Sequence, residues 1–322
     1  MLSPEIIKKI RQIEIATRRL LTGSLVGDSR SAVKGEGFEF DQIRDYQMGD
    51  DVRAIDWNSS ARMDKLLVKQ YIQERNRTVI LAVDVSASTL FSSDDALKSD
   101  IIAQIASVLA LVADYGKDTV SLLLFSDEIE LFIPAGRGRQ HVRLIMEKLF
   151  SYKAARKKTN LAVALDRLIT LARSDGIVFL ISDFIDMQIT PVRPEFIEGA
   201  KLGAERNGRG DVDISHGKQN ACKKLLPLMA KKYDFIAVRC LDRREKVLPA
   251  VGFIQVKDSE TGLEAMLDLR TRPAQSVSLF LRDRLLEQEQ LFKKTGISLV
   301  DIEIDKPFMG EVIRFFRRRM SY

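Results

Sequence analysis

Asp84, Ser86 and Ser88 are the residues of this chain best suited to chemistry. They follow directly on Thr78-Val-Ile-Leu-Ala-Val83, an apolar run without Gly or Pro. One carboxylate and two hydroxyls at alternate positions, with no His or Cys nearby, make a set of hard oxygen donors. Such a set suits Mg²⁺ or Mn²⁺ and not zinc. Asp and Ser also follow strands simply as turn formers and helix caps, so these three residues alone do not define a site. Two later segments add to them. Thr159 opens Thr-Asn-Leu-Ala-Val-Ala-Leu, a helical pattern, and Asp183 ends a second apolar run, Ile177-Val-Phe-Leu-Ile181, within Ser182-Asp183-Phe184.

Bringing these residues together requires strands that end on one edge of a sheet. Residues 78–84, 119–125, 177–182, 235–239 and 298–302 read as strands, and 128–133 as an edge strand joined by a short turn at Ser126-Asp127. Helical patterns fall at 3–22, 95–115, 139–150, 160–173, 221–231, 279–294 and 311–319. Strands alternating with helices imply a mainly parallel sheet covered on both faces. In such a sheet the carboxyl ends of the strands open into the crevice where ligands bind. Short strands and turns are expected between the first helix and residue 73.

Composition sets the bounds. The chain has 322 residues, 45% of them hydrophobic, which is enough for a full core in one or two domains. Cys222 and Cys240 are the only cysteines, so no disulfide framework is expected and a reducing cytoplasm fits. Residues 1–11 carry charges throughout, unlike a secretory signal. The longest apolar stretch, residues 101–113, is interrupted by Gln104 and Ser107 and is shorter than the roughly 20 residues of a membrane span. A soluble, cytoplasmic protein is the expectation. The net charge is +6, but 51 basic and 45 acidic residues are mostly interspersed. Arg314-Phe-Phe-Arg-Arg-Arg319 could touch nucleic acid or an acidic membrane surface. A helix with a solvated basic face and an inward Phe315-Phe316 pair is favoured over that. Arg156-Lys-Lys158 lies just before Thr159, where cations would flank a metal site and favour a carboxylate-bearing partner.

The five residues Asp84, Ser86, Ser88, Thr159 and Asp183 resemble, position by position, the metal-ion-dependent adhesion site of von Willebrand factor A-like domains. A second resemblance narrows the family. Gly35-Glu-Gly-Phe-Glu-Phe40, Arg44-Asp-Tyr46, Gly49-Asp-Asp-Val-Arg53, Ile55-Asp-Trp57, Ala61-Arg62 and Leu67-Val-Lys69 look like the signature of the bacterial family catalogued as domain of unknown function fifty-eight. Asp242-Arg-Arg-Glu245, Leu248-Pro249, Gly252 and Asp258-Ser-Glu-Thr-Gly262 agree with it. The resemblance runs from about residue 25 to 269. It implies an α/β, von Willebrand A-like (Rossmann-like) fold, with a small N-terminal helix and β region at 1–76 and the main domain at 77–322. It implies Mg²⁺ (or Mn²⁺) held by the five residues, with an open position for a Glu or Asp of a protein partner. It also implies association with a MoxR-type AAA+ ATPase as cofactor or substrate adaptor. No catalytic residues are expected.

The rival reading is a Mg²⁺-dependent phosphohydrolase with Asp84 as nucleophile. Haloacid-dehalogenase-type phosphatases need a second Asp two residues on, where this chain has Ser86, and a hydroxyl cannot replace a tuned carboxyl as general acid. A third reading, nucleic-acid binding by the basic tail, predicts steep salt dependence. Other candidates have plainer explanations. His141 and His216 build neither a triad nor a zinc site. Gly136-Arg-Gly138 reads as a turn, Asp50-Asp51 as a turn or cap, and Asp56-Trp57 as a buried Trp beside a hydrogen-bonded Asp. Residues 190–219 break the strand–helix rhythm, and Pro191-Val-Arg-Pro-Glu-Phe-Ile-Glu-Gly199 resembles peptides encoded by palindromic repeat elements. A tolerated insertion, disordered or loosely helical, is expected there.

Overall fold

A computed structural model describes residues 4–20, 39–72, 77–90, 97–154, 156, 158–171, 176–187, 214–246, 252–257, 264–268 and 272–320. Two compact units share the chain, residues 22–76 in one and residues 1–21 with 77–322 in the other.

The larger unit is built on a six-stranded sheet of order β10-β7-β6-β3-β4-β5. Its strands are β3 (Thr78–Asp84), β4 (Thr119–Phe125), β5 (Ile129–Gly136), β6 (Ile177–Ser182), β7 (Asp234–Leu241) and β10 (Ser298–Glu303). All neighbours pair in parallel except β5, which runs antiparallel to β4 at the edge. The continuous apolar runs of β3, β4 and β6 follow from burial on both faces. Val79, Leu81 and Val83 of β3 join one core cluster, and Ile80 and Ala82 join the other. The first cluster is completed by helices α1 (Pro4–Leu20), α3 (Lys98–Tyr115), α4 (Arg139–Ser151) and α9 (Met309–Met320). The second receives α5 (Leu161–Leu171), α6 (Ile214–Lys232) and α8 (Arg272–Thr295). This is the expected α/β architecture.

Strand order places the site. From β3 the chain passes through α3, on the first face, to β4 on one side. From β6 it reaches α6, on the opposite face, and then β7 on the other side. Neighbouring strands whose connections diverge onto opposite faces leave a crevice between their carboxyl ends, where ligands bind in open α/β sheets. Asp84 ends β3, and Asp183 follows β6.

Helix α1 divides from the N-terminal region with which the sequence grouped it. Ile10 and Ile13 are buried in the first core cluster, so this helix belongs to the larger unit, while 22–76 form the other. The smaller unit pairs β1 (Glu39–Asp45) antiparallel to β2 (Leu67–Ile72). Between them lie a 3₁₀ turn (Val52–Ala54) and α2 (Trp57–Met63), a helix in a region expected to hold strands and turns. Asp56 caps α2 through the Ser59 N–H and Oγ. Trp57 corrects the expectation of a buried indole, with 66% of its surface exposed. Ser60 is the α2 residue turned toward β2, where its Oγ accepts the Leu67 N–H at 2.9 Å. Asp50 takes a two-pronged contact from Arg44 and accepts the Gln47 N–H, and Asp51 caps the 3₁₀ turn, so both act in turns as expected.

Two further elements escaped the sequence pattern, the short helix α7 (Arg243–Lys246) and the hairpin β8 (Phe253–Lys257) with β9 (Glu264–Asp268). Most of the expected insertion at 190–219 lies outside the described residues, but 214–219 form the start of α6, seven residues earlier than the pattern suggested. Gly136 ends β5 and Gly138, at φ +86°, precedes α4, consistent with a turn. A Cβ at Gly136 would lie 2.5 Å from the His141 ring, whose Nε2 is 2.8 Å from the Val120 carbonyl oxygen. That accounts structurally for His141. In α9, Phe315 and Phe316 pack on the first core cluster. Arg314 pairs with Glu311 and Arg319 with Asp234, so part of the basic face is already neutralised.

Candidate metal centre

All five expected ligands are buried: Asp84, Ser86, Ser88, Thr159 and Asp183. The chain turns sharply after β3. Asp84 Oδ1 accepts the Ser86 N–H at 2.9 Å, forming an Asx-type turn. A 3₁₀ turn (Ala87–Leu90) follows, held by the Thr89 hydroxyl on the Ser86 carbonyl at 2.7 Å. The two serine hydroxyls lie 2.9 Å apart, one donating to the other. The loop carrying Thr159 is tied to the same edge. The Asn160 N–H donates to the Ser126 carbonyl after β4 at 3.0 Å, and the Leu161 N–H to Asp186 after β6 at 3.4 Å.

The third loop is the most tightly constrained. Ser182 donates its hydroxyl to Asp84 Oδ2 at 2.7 Å and accepts the Phe184 N–H at 3.0 Å, linking the ends of β3 and β6. Asp183 Oδ1 accepts the Ile185 N–H at 3.1 Å. Phe184 takes the left-handed conformation, at φ +56°, which is unfavourable for a bulky side chain and persists only where surroundings impose it. Those surroundings come from α8. The Gln288 amide donates to the carbonyls of Phe184 and Met187, and Phe292 packs edge-on against the Phe184 ring at 5.3 Å. Gln288 Oε1 in turn accepts from Arg239, which is clamped by Asp301.

Sequence reasoning missed Lys98, Ser182 and Gln288, and quoted Glu245 only as a family element. Lys98, the first residue of α3, is fully buried, an exceptional position for Lys. Its Nζ donates to Asp183 Oδ2 at 3.1 Å and to Glu245 Oε1 at 2.6 Å. Glu245 Oε2 accepts the Asp242 N–H at 2.8 Å, anchoring the ammonium to the corner after β7. A lysine opening a helix as apolar as α3 was the available signal.

The electrostatics separate the two aspartates. Burial, and then the negative charge of Asp183, push the Asp84 carboxyl up to about 7, although Ser86 and Ser182 pull the other way. For Lys98 burial is the largest single influence and lowers its pKa, but Asp183 and Glu245 together outweigh it and hold the ammonium above its ordinary value. Asp183 therefore has a cation and Asp84 has hydroxyls and an amide. A buried carboxylate met only by neutral donors, beside a second carboxylate, is an environment that a cation improves. Two carboxylates and three hydroxyls fit a hard divalent ion such as Mg²⁺. Among the described residues no group of three or more His, Cys, Asp or Glu is placed to hold a metal.

Fold and site define an α/β protein with an oxygen-donor cluster at the switch point of its sheet. The chain belongs to the family described as "Protein of unknown function DUF58", whose model matches residues 42–277. It is 25% identical over 318 residues to the uncharacterized protein Mb1516 of Mycobacterium bovis, covering 98% of this chain and 90% of that one. It is 29% identical over 107 residues to the uncharacterized protein YeaD of Bacillus subtilis, covering 33% of this chain and 25% of YeaD. Among solved structures it is similar to the conserved hypothetical protein BatB from Bacteroides thetaiotaomicron, at 12% identity and a TM-score of 0.43, covering 76% of this chain and 98% of BatB. It is also similar to a von Willebrand factor type A protein from Catenulispora acidiphila, at 10% identity and a TM-score of 0.31, covering 67% and 43%. Among the described residues no helix is long and apolar enough to cross a membrane.

Proposed function

We propose that the protein is a non-enzymatic, Mg²⁺-dependent protein-interaction module. One observation carries this reading. Asp84 ends β3 and Asp183 follows the adjacent β6, both buried, and among the described residues Asp84 is met by hydroxyls and an amide and by no basic side chain in its hydrogen bonds. Asp84, Ser86 and Ser88 would hold the ion from one loop, with Thr159 and Asp183 completing the oxygen set. Mg²⁺ prefers six oxygens and keeps several waters, so a position remains for a carboxylate of a partner. The ion would then supply the charge that draws in the Glu or Asp of that partner, and its removal would release it.

The family resemblance points to a MoxR-type AAA+ ATPase as the partner, with this chain as adaptor or cofactor in chaperone-like assembly or maturation. Cys222 and Cys240 are buried and unbridged, in keeping with work in a reducing cytoplasm. For a phosphohydrolase the position two residues after Asp84 would need an acid, and the Ser86 hydroxyl there is paired with Ser88.

The test is affinity capture from native bacterial lysate with mass spectrometry. It compares the wild type in Mg²⁺, the wild type in chelator and Asp84→Ala in Mg²⁺. An AAA+ ATPase or other protein retained only by the wild type in Mg²⁺ supports the module. Identical partners in all three samples would sink it.

A further inference from the structure

Lys98 ends at the oxygen cluster, in a place where a divalent ion would repel it. Its Nζ lies 3.1 Å from Asp183 Oδ2 and 2.6 Å from Glu245 Oε1, and its side chain is wholly inaccessible to solvent. Opposing that repulsion is a fixed anchor. Glu245 is mostly buried, and its second oxygen is held by the Asp242 N–H at the corner between β7 and α7. The ammonium is thus shared by the carboxylate of Asp183 and that of Glu245. A second cation, Arg284 of α8, is partly buried and close enough to feel both Asp183 and Glu245.

From this geometry we infer that Lys98 is a positioning and charge-setting residue of the cation site. It holds Asp183 by one oxygen, competes with the divalent ion for that carboxylate, and is itself restrained by Glu245. Two opposite effects follow. Removing the ammonium frees Asp183 Oδ2 for the ion and tightens binding. Removing the charge of Glu245 releases Lys98 to Asp183 alone and weakens binding. A residue that only supported the fold would not produce effects of opposite sign. The consequence for function is that the corner at 242–246, which contains the family element Asp242-Arg-Arg-Glu245, sets how readily the site takes its ion. A partner or modification that displaced Glu245 would lower the affinity for Mg²⁺ without touching a ligand.

This inference rests on the metal reading, and the experiment keeps the two apart. Mn²⁺ binding is titrated calorimetrically at pH 8 for wild type, Asp84→Ala, Lys98→Met, Glu245→Gln and a surface control, Lys246→Met, each checked for folding by circular dichroism. Lys98→Met is expected to bind at least roughly tenfold more tightly and Glu245→Gln at least roughly tenfold more weakly, a lower bound for one unit charge several Å from a divalent ion at an effective dielectric of about 20. Lys246, paired with Glu303 at the surface, should change affinity by less than about twofold, as for a screened surface charge. If Lys98→Met does not fold, Glu245→Gln decides alone, and unchanged or tighter binding overturns the inference. Both variants weakening together, or neither moving, overturns it while leaving the metal reading intact. Absence of Asp84-dependent Mn²⁺ binding in the wild type overturns both.

Discussion

Glu303, at the end of the outer strand β10, meets Lys246 and Lys306, whereas Asp84, at the end of the central strand β3, meets two serines and a backbone amide. Both carboxylates lie on the carboxyl edge of one sheet. Hydrogen bonds from Lys246 and Lys306 hold Glu303 down at about 2, while burial and the charge of Asp183 push Asp84 up to about 7. At the rim the chain neutralises its own acid with partly exposed cations that pair with it directly. At the centre it buries two acids side by side and supplies one shared ammonium, on Asp183. The rim pattern is that of a structural ion pair, and the central pattern is a burial of negative charge that the proposed cation would relieve.

The largest expected effect comes from breaking the centre. In chelator, Lys98→Met should lower the free energy of unfolding by about 3–5 kcal/mol, because it leaves Asp183 and Glu245 buried without their ammonium. Urea titration measures this, and a loss under about 1 kcal/mol would show that the ammonium is not what stabilises the two carboxylates.

Asp84 should respond in the opposite way. Asp84→Asn removes a buried charge that no cation among the described residues meets, so in chelator at neutral pH it should unfold within about 1 kcal/mol of the wild type or later. With Mg²⁺ at a hundred times its dissociation constant the wild type should gain about 2.7 kcal/mol and the variant nothing. Equal gains in both proteins, read by thermal denaturation, would place the bound ion elsewhere.

The pH response sharpens the comparison. A carboxyl at about 7 when folded, against an ordinary 3.8, keeps a proton that the unfolded chain has lost. The contribution of Asp84 to stability therefore falls as pH rises from about 4 to 7, and Mg²⁺ should remove that decline. Glu303 has the reverse sign. Its pKa lies below the ordinary 4.5, so its contribution is fully present above about 4.5 and disappears as pH falls through about 2. Melting curves of wild type and Asp84→Asn in chelator should diverge across the first window. If they run parallel there, Asp84 carries no raised pKa.

Glu303→Gln should give the smallest change, under about 1 kcal/mol at pH 7, because both lysines remain partly in water. The difference should vanish near pH 2 and shrink in high salt. A larger, salt-insensitive loss would make the rim a buried network like the centre and erase the contrast.

Much of this was legible in the chain. Apolar runs such as Ile177-Val-Phe-Leu-Ile181 can be stable only with both faces covered, so strand positions and the parallel class followed from local pattern. Asp84, Ser86, Ser88, Thr159 and Asp183 stood out because each closes a strand or opens a helix, and the structure buries all five. Less local features were hidden. Helix α2, seven residues long, is shorter than the window of about 11 residues in which a helical period can be read, and the polar stretch at its start reads equally as a turn. Trp57 was expected inside, beside a hydrogen-bonded Asp, but a seven-residue helix buries one narrow face and Ser60 occupies it.

By itself the sequence determined which side chains end the strands and that their chemistry is oxygen-only, because residue type and spacing are local properties. Only the tertiary structure decided how those acids are compensated. Lys98 and Glu245 are 147 residues apart, and Ser182 and Asp84 are 98 apart. Such pairs meet because the strand order β6-β3 and the opposite faces taken by α3 and α6 fold distant loops over one crevice. Burial then converts ordinary carboxyls into one held by an ammonium and one pushed up to about 7, since desolvation and neighbouring charge exist only once the chain is packed.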